Sequence, residues 1–165
     1  MARAEWPVVV DGHLRRDLEA LLQEVRARFR CDEYDEGKLV TYNVETSVGS
    51  HLTLSIDLLP DQLNLNCGGC AVLIELAAHH PKFGINPRAF EDWRARCLSS
   101  VRAVLTSDLR VETRSRGDRV LGGYLWRREG SNWVPCGGGG DIMMFLGRKH
   151  VTEYHDWLAR EDRAL

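Results

Sequence analysis

The chain has 165 residues, 44% hydrophobic and 28% charged, with a formal net charge of −2. That length suits one domain with a substantial core, and that balance excludes disordered and collagen-like classes. A slightly acidic chain has no general attraction for nucleic acid, and no apolar run is long enough to span a bilayer.

The expectation is a single α+β domain over residues 1–165. The opening Met-Ala-Arg-Ala-Glu-Trp-Pro lacks the apolar centre of a signal peptide, which points to the cytosol. The five cysteines (31, 67, 70, 97 and 136) are an odd number and sparse for a secreted framework, so reduced thiols are expected.

Asp11 to Arg30 reads as a helix: Leu14, Leu18, Leu21, Leu22, Val25 and Phe29 form one stripe, and Asp11 suits the N-cap. The acidic run Asp32 to Glu36 reads as the loop that follows. A three-stranded meander comes next. Val40, Tyr42, Val44 and Val48, then Leu52, Leu54, Ile56 and Leu58, then Leu63, Leu65 and Cys67 alternate with polar residues. Pairing Val48 with Leu52, and Leu58 with Leu63, puts these sets on one face and sets Cys67 beside Leu54, facing inward.

Ala71 to His80 is apolar, and the glycines before it and Pro81 after it favour a short helix over a strand. Asn86-Pro87 then opens a long helix with the stripe Phe90, Trp93, Cys97, Val101, Val104 and Leu105. Leu109 to Ser115 and Val120 to Trp126 read as a hairpin about a Gly-Asp turn, pairing Val111 with Tyr124 and Leu109 with Trp126. In that register Arg110, Glu112 and Arg114 lie on the opposite face from Tyr124 and Trp126. Trp133 to Cys136 and Ile142 to Leu146 read as further strands separated by a glycine loop, and Val151 to Arg160 as a last helix. The fold class is therefore α+β, with helix-βββ-helix-βββ(β)-helix order, two antiparallel meanders and helices packed on one face.

Four features could carry chemistry. Cys67-Gly68-Gly69-Cys70 is a Cys-x-x-Cys pair. It is read first as two buried core thiols. Its alternatives are a zinc site completed by His79, His80, Cys136 or His150, and a redox pair at a helix N-terminus. Gly137 to Gly140 lacks the Lys-Ser/Thr of a phosphate loop. It is read as a mobile connection that could border a small-molecule pocket. The arginine-rich stretch holds Arg110, Arg114, Arg116, Arg119, Arg127 and Arg128 together with Tyr124, Trp126 and Trp133. Interleaved arginines and rings can bind single-stranded nucleic acid, but the register above separates them, so a protein-binding sheet face is favoured. The histidines at 79, 80, 150 and 155 are not joined to a nucleophile by any motif.

The functional expectation is a non-catalytic binding protein without a cofactor. Its partner is another protein, it makes no membrane contact, and its contact surface lies around Arg110, Arg114 and Arg127. The acidic loop is a second candidate surface, and a zinc or thiol protein centred on Cys67 and Cys70 is the alternative.

Overall fold

The computed structural model describes residues 7–76, 86–140 and 143–161. The order is α1 (Gly12–Glu24), β1 (Phe29–Tyr34), β2 (Leu39–Val44), β3 (Leu54–Leu58), β4 (Gln62–Cys67), β5 (Cys70–Glu75), α2 (Pro87–Leu105), β6 (Leu109–Arg116), β7 (Arg119–Glu129), β8 (Asn132–Gly140) and β9 (Arg148–Tyr154). The strands make two antiparallel sheets, one ordered β1-β2-β3-β4-β5 and one ordered β8-β7-β6-β9. The chain is thus α+β, and no helix among the described residues is long and apolar enough to cross a membrane.

Strict alternation builds the first sheet. Val40, Tyr42, Val44, Leu54, Ile56, Leu58, Leu63, Leu65, Cys67, Cys70, Val72 and Ile74 point to one buried face. Full burial of each such aliphatic side chain stabilises by about 1.5–3 kcal/mol. The helices join this core. Leu14, Leu18, Leu21 and Leu22 of α1 are buried, and the Tyr42 hydroxyl donates to Glu19 at 2.8 Å. On α2, Trp93 is fully buried and its indole N–H donates to the Ile74 carbonyl at 3.1 Å. Asp11 and Asn86 cap the two helices, accepting from the backbone N–H of Leu14 and Arg88 at 3.0 Å each. One continuous apolar cluster includes both helices and the inner faces of both sheets.

The predicted pairings Leu58 with Leu63 and Leu54 with Cys67 both occur. Between β2 and β3 the observed partners are Val44 and Leu54 rather than Val48 and Leu52. A slip of two residues leaves every side chain on its face.

Four expectations are corrected. First, α1 stops at Glu24 because Arg26 adopts φ 58°, and Phe29–Tyr34, read as helix end and acidic loop, forms β1. Glu33 pairs with Arg15 at 2.6 Å, Asp32 with Arg30 at 3.0 Å and Asp35 with Lys38 at 3.3 Å, so three of the four acids of the run are spent on contacts within the chain. Second, Cys70–Glu75 is strand β5, whose alternation continues that of β4 across a tight turn. Residues 77–80 of the expected helix, including His79 and His80, lie outside the described residues.

Third, Gly137–Gly140 is the end of strand β8 and not a loop, while Met144–Leu146 forms a short 3-10 turn. Gly137 is needed there, since a Cβ would stand 2.5 Å from the Ala71 carbonyl oxygen of β5. Fourth, the last helix is replaced by β9 followed by an extended tail. Leu158 bridges Thr46 and Arg160 bridges Ala27, while the Trp157 indole donates to the Ser107 carbonyl at 2.9 Å.

Candidate functional site: the outer face of the second sheet

The Cys-x-x-Cys pair closes a β-hairpin. Cys67 and Cys70 are directly paired across the two-residue turn Gly68-Gly69, whose φ values of 57° and 80° are those of a type I′ turn. Both thiols face the core, at 0% and 3% exposure. The turn is wedged under the second sheet: a Cβ on Gly68 would lie 2.9 Å from Val111 Cγ2 and 3.1 Å from Leu52 Cδ1.

Burial pushes the Cys67 thiol up to about 12, with Cys70 and Cys136 nearby adding to the rise, and burial raises Cys70 as well. A thiol held protonated is a poor nucleophile and a poor metal ligand. The strand after Cys70 also removes the helix N-terminus on which the redox reading depended. Among the described residues no group of three or more His, Cys, Asp or Glu side chains is placed to hold a metal ion.

The second sheet differs. Near its turn the predicted pairing holds, with Arg116 opposite Arg119 and Ser115 opposite Val120. A bulge between Arg114 and Ser115 then inserts Leu121 and shifts the rest by one residue, so that Val111 pairs with Leu125 and Glu112 with Tyr124. Because strand side chains alternate, one residue reverses every face. Leu121 and Leu125 turn inward, and Tyr124 and Trp126 join Arg110, Glu112 and Arg114 on the outer side.

This outer face is closely interlocked. The Arg110 guanidinium stacks 4.5 Å from the Trp133 ring centre, with Arg128 at 5.9 Å from the same ring. Arg110 Nε also donates to Glu153 Oε1 at 3.0 Å. Tyr124 and Trp126 meet edge to face, with ring centres 6.5 Å apart. The indole N–H of Trp126 is buried without an acceptor, which costs about 1–3 kcal/mol. Glu112, 7% exposed, lies between Lys149 Nζ at 2.9 Å and Arg114 Nη2 at 3.5 Å.

Of the three arginines expected to form the contact surface, Arg110 and Arg114 are therefore here. Arg127 is not: it is opposite Leu109, and so on the inward side. It borders a cleft of about 230 Å³ with Ser99, Ser100, Pro135 and Cys136, between α2 and the start of the glycine run. That cleft is where the expected small-molecule pocket would lie. The histidines remain dispersed; His155 Nδ1 meets Asp108 Oδ2 at 2.9 Å. Sequence reasoning missed the placement of Tyr124 and Trp126. The available signal was a second alternating set, Leu121, Gly123 and Leu125, competing with Val120, Tyr124 and Trp126 for the core. Family models, curated proteins and solved structures give no match to this chain.

Proposed function

We propose that the protein is a non-catalytic binding protein whose contact surface is the outer face of the second sheet. The observation that carries this reading is the one-residue register shift. It gathers the guanidinium groups of Arg110, Arg114 and Arg128 with the rings of Tyr124, Trp126 and Trp133 on one side of a sheet. Arginine and aromatic side chains are the residues most enriched at the centres of protein interfaces, where they combine large contact area with directed hydrogen bonds. The partner is another protein, met in the cytosol. All five cysteines being free supports a reducing compartment.

Single-stranded nucleic acid is the second reading, favoured by the same gathering of rings and guanidiniums. The in-chain ion pairs weigh against it. Glu153 pairs with Arg110, and Glu112 with both Arg114 and Lys149, so two carboxylates offset half of the positive charge that these residues and Arg128 would offer a phosphate backbone.

Two measurements test the proposal. Affinity capture from lysate is expected to recover a protein with the wild type and lose it with Trp133→Ala and with Arg110→Glu. Capture unchanged in both variants overturns the face assignment. Fluorescence anisotropy with labelled single-stranded oligonucleotides is expected to show no saturable binding. Tight binding that weakens steeply with salt would move the reading to nucleic acid.

A further inference from the structure

Among the described residues the outer strand of the second sheet, β9, pairs only with β6, and no strand neighbours its opposite edge. Among the described residues no backbone hydrogen bond outside the sheet involves Arg148 to Tyr154, and Arg148 to Glu153 are all exposed. A free edge of seven residues is a template for another strand. Natural edges are usually blocked by charge. Here the charges are segregated along the strand: Arg148, Lys149 and His150 at one end, Glu153 at the other.

We propose that this edge pairs with the same edge of a second copy, antiparallel and centred on Val151. In that register Lys149 of each copy faces Glu153 of the other, His150 faces Thr152, and Val151 meets its own mate on the dyad. Centring on His150 would set Lys149 against Val151 and Glu153 against Gly147, and centring on Thr152 would set Glu153 against Val151 and Lys149 against His155, so the Lys149–Glu153 pairing selects the Val151 register. Each copy prepares the contact. Arg110 holds Glu153, and Glu112 holds Lys149, on the same outer face. The incoming charges therefore extend rows already present. Val151, 45% exposed, supplies an apolar contact at the centre.

The two four-stranded sheets would merge into one of eight strands, with both Arg- and Trp-bearing faces on the same side. This assembly does not rest on the function proposed above, and Val151 is not among the residues assigned to that contact.

The test is the mass of the purified full chain by size-exclusion chromatography with light scattering, over a wide concentration range. The wild type is expected to approach a dimer as concentration rises, and to dissociate more readily in high salt. Val151→Lys sets like charges together on the dyad but stays compatible with the monomer, where it faces Glu112. It is expected to raise the dissociation constant about tenfold or more, with an unchanged circular dichroism spectrum.

Position is checked by mild diamide oxidation. Val151→Cys should cross-link rapidly across the dyad. Arg148→Cys should not, because its mate would be about 20 Å away along paired strands. A wild type monomeric at every concentration overturns the proposal, whatever else the edge binds. So does a dimer that survives Val151→Lys, or equal cross-linking at the two positions.

Discussion

The two sheets treat their outward faces in opposite ways. On the first, Thr41, Asn43, Ser55, Asp57 and Asn66 point away from the helices, and their polar atoms pair with each other. Thr41 donates to Asp57 at 2.8 Å, Asn66 to Asp57 at 3.1 Å and Asn43 to Asp32 at 3.1 Å. Short side chains of this kind settle most of their own hydrogen bonding, with the buried Asn64 Oδ1 left without a donor, and leave water as the natural neighbour. The second sheet turns out three rings, three guanidiniums and a buried carboxylate. Large amphipathic groups have more to gain from a partner than from water. The first sheet is thus chiefly a scaffold for the core, and the second combines core with the proposed contact surface.

Substitutions should separate these roles. The largest loss is expected at Trp93→Ala, which empties a fully buried site and orphans the Ile74 carbonyl; about 3–5 kcal/mol should disappear from the unfolding free energy in urea titration. Gly68→Ala comes next. It forces a side chain into the left-handed region and onto Val111 and Leu52, for about 2–4 kcal/mol by the same titration. A near-neutral result there would mean that the hairpin tip is not held under the second sheet.

The sulfurs give a pH test of the scaffold. Cys67 and Cys97 are both raised by burial from an ordinary value of 9.0 to about 12. Their folded values lie above their unfolded ones, so their contribution is complete below about pH 9 and is lost as pH rises towards about 12. The melting temperature should fall increasingly steeply above pH 9, and less so in a Cys67→Ala/Cys97→Ala variant. Labelling of Cys67 by Ellman's reagent should wait for denaturant; rapid labelling of the native protein would show an open site at this hairpin.

Trp133→Ala sharpens the contrast from the other side. It removes the ring under Arg110 and Arg128 at a stability cost of about 0.5–1 kcal/mol, yet should abolish partner capture. The smallest effect is expected where α1 meets α2. Arg102 grips Glu24 through two bonds of 2.7 Å and holds its carboxyl below the usual carboxylate value. With the folded value depressed, this contribution is present above the ordinary carboxylate range and lost as pH falls through the folded value. Arg102→Ala should therefore lower the melting temperature slightly near neutrality, and less so at low pH.

Leu54 opposite Cys67 was legible in the sequence because an unbroken alternation leaves only one face for the apolar set, and a slip of two residues between β2 and β3 did no harm. The caps at Asp11 and Asn86 were equally legible, since capping depends on a few neighbouring atoms. β5 was not, because a short apolar run fits helix and strand alike until β4 supplies its pairing partner. β9 was hidden for a related reason: its residues are mostly polar, and β6 alone makes them a strand.

The candidate site was the least legible part. The arginines and rings were all visible, but their shared face depends on one inserted residue, Leu121. Local sequence determined the helix caps and the strands with unbroken alternation, β2 to β4. Packing across the two sheets decided which side of β7 faces the core, because only there could the inward leucines compete with the rings for the same space.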